Sequence, residues 1–284
     1  MKKNILLLIV SSFFFLFTAC DKLDSPYLVE QGHDIPDPEE VVRKVLLEEF
    51  TGHKCPNCPK GSKIAHDLKA IHGEQLVVLT LHAGWYAQTE PGMYSEDFRT
   101  TAGTAIYEDF EQPPTPQGLV NRAQYAGKTV LSINQWEPAL LEQLEMEPEA
   151  SITINVDYNS TNREVSVNSE TIFLNDVTGE FSVCMFITED SIVSPQVNND
   201  PDLGPSPDWE DYVHEHVLRK AITGAWGENI NPGEDIIPEE PYESKGSVVL
   251  DEDWRENHCN IVAFVYRNDT KQVIQAEEVS VIGE

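Results

Sequence analysis

The stretch "EEFTGHKCPNCPKGSK", residues 48–63, sets Cys55 and Cys58 three positions apart, between an apolar run and a segment with helical spacing. Upstream, "VVRKVLLEEF" from Val41 has the composition of a buried strand. Downstream, "PKGSKIAHDLKAIHG" places Ile64, Leu68 and Ile71 at helical intervals, with Gly73 as a stop. A cysteine pair held between a strand and a helix has three readings: a redox centre, half of a metal site, or a structural disulfide.

The compartment limits that choice. Lys2 and Lys3 precede an apolar run from Ile5 to Phe17, and Thr18-Ala19 then lead to Cys20. Residues 1–19 therefore read as a secretory signal peptide, too short to span a bilayer comfortably. Small residues directly before Cys20 resemble a bacterial lipoprotein box, which implies cleavage ahead of Cys20 and lipid on that residue. Residues 20–40, with "DKLDSPYLVEQGHDIPDPEE", are acidic and carry three prolines, as expected of an extended lipidated tether. The formal charge of the 284 residues is -30, and loss of the signal peptide with its two lysines makes it -32. A field of that sign disfavours nucleic acid as a partner. The expected place is the bacterial cell envelope, most simply the outer membrane, reached through the N-terminal lipid.

Past the cysteines, "QLVVLTLHAG" is a continuous apolar strand of the kind buried on both faces of a parallel sheet. "SEDFRTTAGTAIYEDF" has helical spacing, "QGLVNR" a short strand, Tyr125 to Val130 a return strand, and "SINQWEPALLEQLE" a last helix. Near residue 150 the apolar period changes from 3.6 to 2. "SITINVDYN" alternates Ile152, Ile154, Val156 and Tyr158 with polar residues, and "REVSVNSETIFL", "FSVCMFITED" and "NIVAFVYRNDTKQVIQAEEVSV" continue the pattern. The expected architecture is an α/β domain over 41–149 followed by an antiparallel β-sandwich over 150–284.

The order strand, helix, strand, helix, strand, strand, helix, with Cys-x-x-Cys after the first strand, resembles the thioredoxin-like fold. "LLEEFTGHKCPNCP", "PQGLVNR" and "HVLRKAITGAWGE" further resemble the family related to the twenty-eight-kilodalton outer membrane protein, from about residue 41 to the C-terminus. The resemblance implies a cis-proline loop against the cysteines, a slot filled by Thr115-Pro116. It also implies a buried acid six positions before the first cysteine, where Glu49 stands. Adjacent Glu48 is the alternative inward carboxylate.

A thiol at a helix N-terminus has a lowered pKa, so Cys55 is the expected exposed nucleophile and Cys58 the resolving thiol, with Glu49 relaying its proton. The implied activity is thiol-disulfide exchange, with envelope proteins or peptides as clients and no cofactor. The competing function is a surface binding module or adhesin in which the fold is scaffold. His53 and Lys54 read as loop residues that add positive charge. Zinc needs four ligands, and no second Cys-x-x-Cys or His pair stands at a fitting distance, so no metal is expected. A purely structural Cys55–Cys58 bridge remains open, although so short a loop confers little stability. In the second half, Cys184 and Cys259 are candidates for a structural disulfide. Asp200, Asp202 and Asp208 form a polar loop lacking regular calcium-ligand spacing, and His214 and His216 share a strand face.

Overall fold

The computed structural model describes Pro36 and residues 40–283; the signal peptide, Cys20 and most of the tether lie outside the described residues. In chain order, strand β1 (Val45–Thr51) leads to helix α1 (Cys58–His72), β2 (Leu76–His82), α2 (Thr101–Asp109), β3 (Gln117–Val120), β4 (Leu131–Ser132) and α3 (Trp136–Leu144). The strand-rich part follows: β5 (Ala150–Asn159), β6 (Glu164–Phe173), β7 (Phe181–Glu189), then four two-residue strands, β8 (Ile192–Val193), β9 (Gln196–Val197), β10 (Asp208–Trp209) and β11 (Val213–His214). It closes with β12 (Val217–Ala221), β13 (Glu228–Asn229), β14 (Pro241–Val249), β15 (Cys259–Arg267) and β16 (Val273–Ser280).

Helix α1 stops at Gly73 as the sequence predicts, whereas α2 begins only at Thr101, beyond Phe98, and α3 at Trp136. Gly73 takes φ 56° at the C-terminus of α1, a conformation that favours glycine, and the Thr100 hydroxyl accepts from Gly103 N at the start of α2. β2 is buried along its whole length and runs parallel to β1, with Val45 opposite Leu76 and Thr51 opposite His82. The return strand is β4, just beyond the Tyr125–Lys128 bridge.

Strands from both sides of residue 150 share one sheet, in the order β16-β15-β7-β12-β2-β1-β3-β4, with β13 also paired to β7. β12 lies parallel to β2 and antiparallel to β7, so it splices the two halves. The change of period at residue 150 is thus no boundary of the large sheet, which draws strands from both sides of it. A separate three-stranded sheet, β14-β6-β5, supplies the alternating strands. Its inner residues Ile152, Val165, Val167 and Val248 pack on Val183, Met185, Ile187, Ile261 and Ala263 of β7 and β15. Helices α1 and α3 cover the β1–β2 part of the large sheet.

The other face of the large sheet gathers Leu46, Phe50, Leu81, Phe186 and Phe264 with Ile106 of α2. The sheet curls enough for β16 to meet the start of β1. Gln275 accepts from Lys44 N (2.8 Å) and donates to Val42 O (3.0 Å), and Lys44 and Lys69 pair with Glu277 and Glu278.

Cys184 and Cys259 are not bridged; both are buried free thiols. Cys184 lies opposite Phe264 in the β7–β15 ladder, five residues from Cys259, so about 16 Å separates them along the strand. They also belong to cores on opposite faces of the sheet. A disulfide needs Cα atoms within roughly 7 Å. Burial pushes both thiols up to about 12.

Candidate functional site

β1 ends at Thr51 and the chain turns through Gly52. A side chain there would collide with the backbone of Tyr86 and Ala87, 2.5–2.6 Å from the nearest atoms, so glycine is required by close approach. The turn directs Cys55 N to Gly52 O (2.9 Å), and Cys58 opens α1 with Pro59 in its first turn, where a missing N–H is harmless. Cys55 and Cys58 are joined as a disulfide with Cα atoms 5.4 Å apart.

Alternation along β1 sends its two adjacent glutamates to opposite faces of the sheet. Glu48 makes a bidentate pair with Arg122 (2.7 Å each), whose guanidinium is ringed by Phe110, Trp226, Phe264 and Tyr266. Glu49 lies beneath α1, where its carboxylate accepts from Ser62 Oγ (3.1 and 3.3 Å). Burial pushes its pKa up to about 8, against the smaller opposing pull of Ser62. Gly61 makes room for this packing, because a Cβ there would come within 2.9 Å of both Glu49 and Pro116. Glu49 and Pro116 therefore converge on the same turn of α1. The Thr115-Pro116 bond is cis.

The expectation that Cys55 would be the accessible sulfur fails: Cys55 and Cys58 are each 1% exposed. The reason is a strap, residues 192–216, formed by β8 to β11 and laid over the cysteine loop. Gln196 Nε2 donates to Cys55 O (2.9 Å), Val197 N to His53 O (2.8 Å) and Asn199 N to Pro56 O (3.0 Å). Asn199 Nδ2 donates to Asn57 Oδ1 (2.8 Å), so even the N-cap residue of α1 is engaged by the strap. Asn198 stiffens the strap by donating to Asp200 O, Gly204 O and Pro205 O.

Under the strap, His53, His82 and His214 gather around Phe98, with ring centroids 6.1, 4.9 and 5.0 Å from it. His53 is thus buried, whereas the sequence suggested a loop residue. Among the described residues His82 has no hydrogen-bond partner at either ring nitrogen. Burial holds His82 well below its usual pKa, helped by His214, His53 and Arg219, and it pulls His214 down to about 3. Lys54 pairs with Glu90 and lies over Trp85.

His214 and His216 do not act together: His214 accompanies His82, and His216 stands 3.2 Å from Asp190. Asp200 caps the backbone of Asp202, while Asp208 accepts from the Tyr94 hydroxyl. Among the described residues no three His, Cys, Asp or Glu side chains are placed to hold a metal ion.

Gln196, Asn199 and Tyr212 were not legible as site residues, because Asn199 lies within "NNDPDLGPSPDWED", which has the composition of a solvated loop, and Gln196 and Tyr212 flank that stretch. Trp209 and Tyr212, large rings in so polar a stretch, were the available signal. A cavity of about 380 Å³ lies where the strap meets α1 and β2, lined by Glu49, Ser62, Val78, Trp209 and Tyr212 among others.

Fold and site together define a strand-rich α/β protein whose disulfide begins a helix and is roofed by its own strap. The chain belongs to the family described as Outer membrane protein Omp28, whose model matches residues 103–284, and its place is the outer membrane of the bacterial cell envelope. The match takes in the strap and begins beyond the cysteine pair. Among solved structures, HBP35 of Porphyromonas gingivalis is similar with a TM-score of 0.62 and 17% identity, over 84% of this chain and 76% of that one. Protein AGR_C_4864 from Agrobacterium tumefaciens is similar with a TM-score of 0.54 and 10% identity, over 86% of this chain and 97% of that one. At these identities the likeness concerns the fold alone. A domain of the outer membrane lipoprotein Omp28 from Porphyromonas gingivalis matches 49% of this chain and 93% of that one, at 18% identity and a TM-score of 0.33. Among curated proteins no match was found.

Proposed function

We propose that this is a lipid-anchored envelope protein, tethered through Cys20, whose thioredoxin-like region exchanges thiols and disulfides with other envelope proteins through Cys55 and Cys58. The observation that carries this reading is the buried Glu49 beneath the helix that Cys58 opens, its pKa pushed up to about 8. A carboxyl titrating near neutrality can take the proton that Cys58 loses when it resolves a mixed disulfide. The bridge closes a very short loop, so chain entropy gives it little structural purpose. In this reading, once the strap has moved aside, a reduced Cys55 attacks a client disulfide and Cys58 then displaces the client as a dithiol, re-forming the Cys55–Cys58 bridge; a dithiol client reduces that bridge by the same steps in reverse.

The test is trapping. Cys58→Ala, expressed in its native envelope, should accumulate client proteins as mixed disulfides on Cys55, and Cys55→Ala should accumulate none. A second reading, a surface binding module with the cysteines as scaffold, is favoured by one observation, the burial of both sulfurs under the strap. If both substitutions lower the melting temperature by similar amounts and neither captures a partner, the binding module replaces the exchange reading.

A further inference from the structure

The cavity under the strap has the makings of a ligand site, distinct from exchange at the cysteines but sharing Glu49 with that reading. Its volume, about 380 Å³, falls in the range of small-molecule pockets. The walls are mostly apolar: Pro59 and Ala65 of α1, Val78 of β2, and Leu203, Trp209 and Val213 of the strap. Trp209 and Tyr212 stand edge to face with centroids 5.1 Å apart, which gives one wall a fixed aromatic corner. The polar groups converge at the deep end. Tyr212 lines the cavity beside Ser62, and Ser62 donates to Glu49.

Among the described residues Ser62 is the only hydrogen-bond partner recorded for the Glu49 carboxyl, which is itself 1% exposed. A neutral carboxyl has a donor and further acceptor capacity beyond what one serine satisfies. The remainder faces the cavity, and a buried group with spare capacity next to an apolar space calls for a partner.

The charge pattern selects the ligand. At the rim, Lys63 is paired with Asp67 (2.7 Å), Glu215 accepts from Ser191 N (2.8 Å), and His216 stands against Asp190. These three groups are already engaged, and His66, the remaining ionisable residue of the rim, is exposed to solvent, which leaves a charged ligand poorly matched inside the apolar walls. The protein's strong negative charge further discourages anions. We propose that the cavity binds a small, uncharged, mostly apolar molecule with one carbonyl-type acceptor, its body against Trp209 and Val78 and its acceptor on the Glu49 carboxyl. Because six of the fourteen lining residues belong to the strap, such a ligand also favours the closed strap over the open one.

The experiment compares 1-tetralone, an uncharged bicyclic ketone, with tetralin, its hydrocarbon counterpart, by calorimetric titration of the oxidised protein. At pH 6.5 both should bind, the ketone about five- to tenfold more tightly, as expected of one hydrogen bond. At pH 9.5 Glu49 is ionised and the ketone's advantage should vanish, whereas Glu49→Gln should keep it at both pH values because an amide donates throughout. Val213→Trp, at a half-exposed strap position, should block the cavity and abolish binding of both compounds. Lys63→Trp on the opposite rim is the second blocking variant should the first disturb the strap. Absence of saturable binding to the wild type, unchanged binding in both blocking variants, or a ketone advantage that survives pH 9.5 in the wild type would each overturn the proposal. The oxidised protein is titrated without any client, so absent binding or unblocked binding leaves the exchange reading standing, and failed trapping leaves the ligand site standing; a ketone advantage that survives pH 9.5 counts against both, since both rest on the raised Glu49 carboxyl.

Discussion

Glu49 and the buried histidines tie the site to pH in opposite senses. Glu49 titrates near 8 when folded and near 4.5 when unfolded, so between these values the unfolded chain is ionised and the folded one is not. Folding stability therefore falls as pH rises through that window, by about 3 kcal/mol at pH 7. Glu49→Gln should raise the melting temperature at pH 7, lose that advantage at pH 4, and slow reduction of the disulfide by a thiol if Glu49 returns the proton to the departing Cys58 thiolate. His214 titrates near 3 when folded, with His82 also well below its ordinary value, so below pH 6.5 the unfolded chain takes up protons that the folded one refuses. Stability is lost as pH falls from about 6.5, by up to about 1.4 kcal/mol per pH unit for each histidine. Melting curves of Glu49→Gln at pH 7 and pH 5, where the opposing Glu49 change is absent, check this, and adding His214→Phe should reduce the difference. The groups facing these rings are Tyr212 beside His214 and Arg219, whose guanidinium lies 5.8 Å from Phe98. Removing Arg122 should cost about 3–5 kcal/mol, because Glu48 would be left charged and unpaired in the core. Denaturant midpoints of Arg122→Ala measure that cost.

Among the elements, the strap decides what reaches the cysteines. Gln196→Ala removes a side chain that donates to Cys55 O and bridges it to Val197 O within the strap. It should speed reduction of the Cys55–Cys58 bridge by dithiothreitol by about tenfold, the worth of one to two hydrogen bonds, with the circular dichroism spectrum unchanged. A rate equal to the wild type's would mean that the strap does not limit access. The strands and helices around the pair were readable in advance because each obeys a local rule. Leu46 and Leu47 lie in a continuous apolar run, Leu68 falls at a helical interval, and Gly73 stops the helix. The strap was not readable, because its strands are two residues long and its contacts lie about 140 residues away in sequence. Period and propensity act over a few turns and carry no information at that range. The same limit hid the choice between Glu48 and Glu49: alternation sends them to opposite faces, but which face meets α1 depends on how α1 packs.

At the scale of the whole molecule, Arg122 shows that the halves are built together, since three of the four rings around it, Trp226, Phe264 and Tyr266, come from beyond residue 150. A chain ending at Glu149 would also uncover Phe50 and Leu81, and it should show no cooperative thermal transition, in contrast to the chain from residue 40 onward. The curled sheet has a further consequence where β16 returns to the start of β1. An outermost strand is a template on which a second copy can add itself, and proteins confined to one membrane surface meet their own kind far more often than proteins in solution. Here Gln275 engages the backbone of Val42 and Lys44, and Lys44 and Lys69 hold Glu277 and Glu278 at the rim. The opposite outer strand, β4, is only two residues long. The large sheet thus offers crowded copies no long, bare border, and the longer outer strands, β5 and β14, belong to the three-stranded sheet.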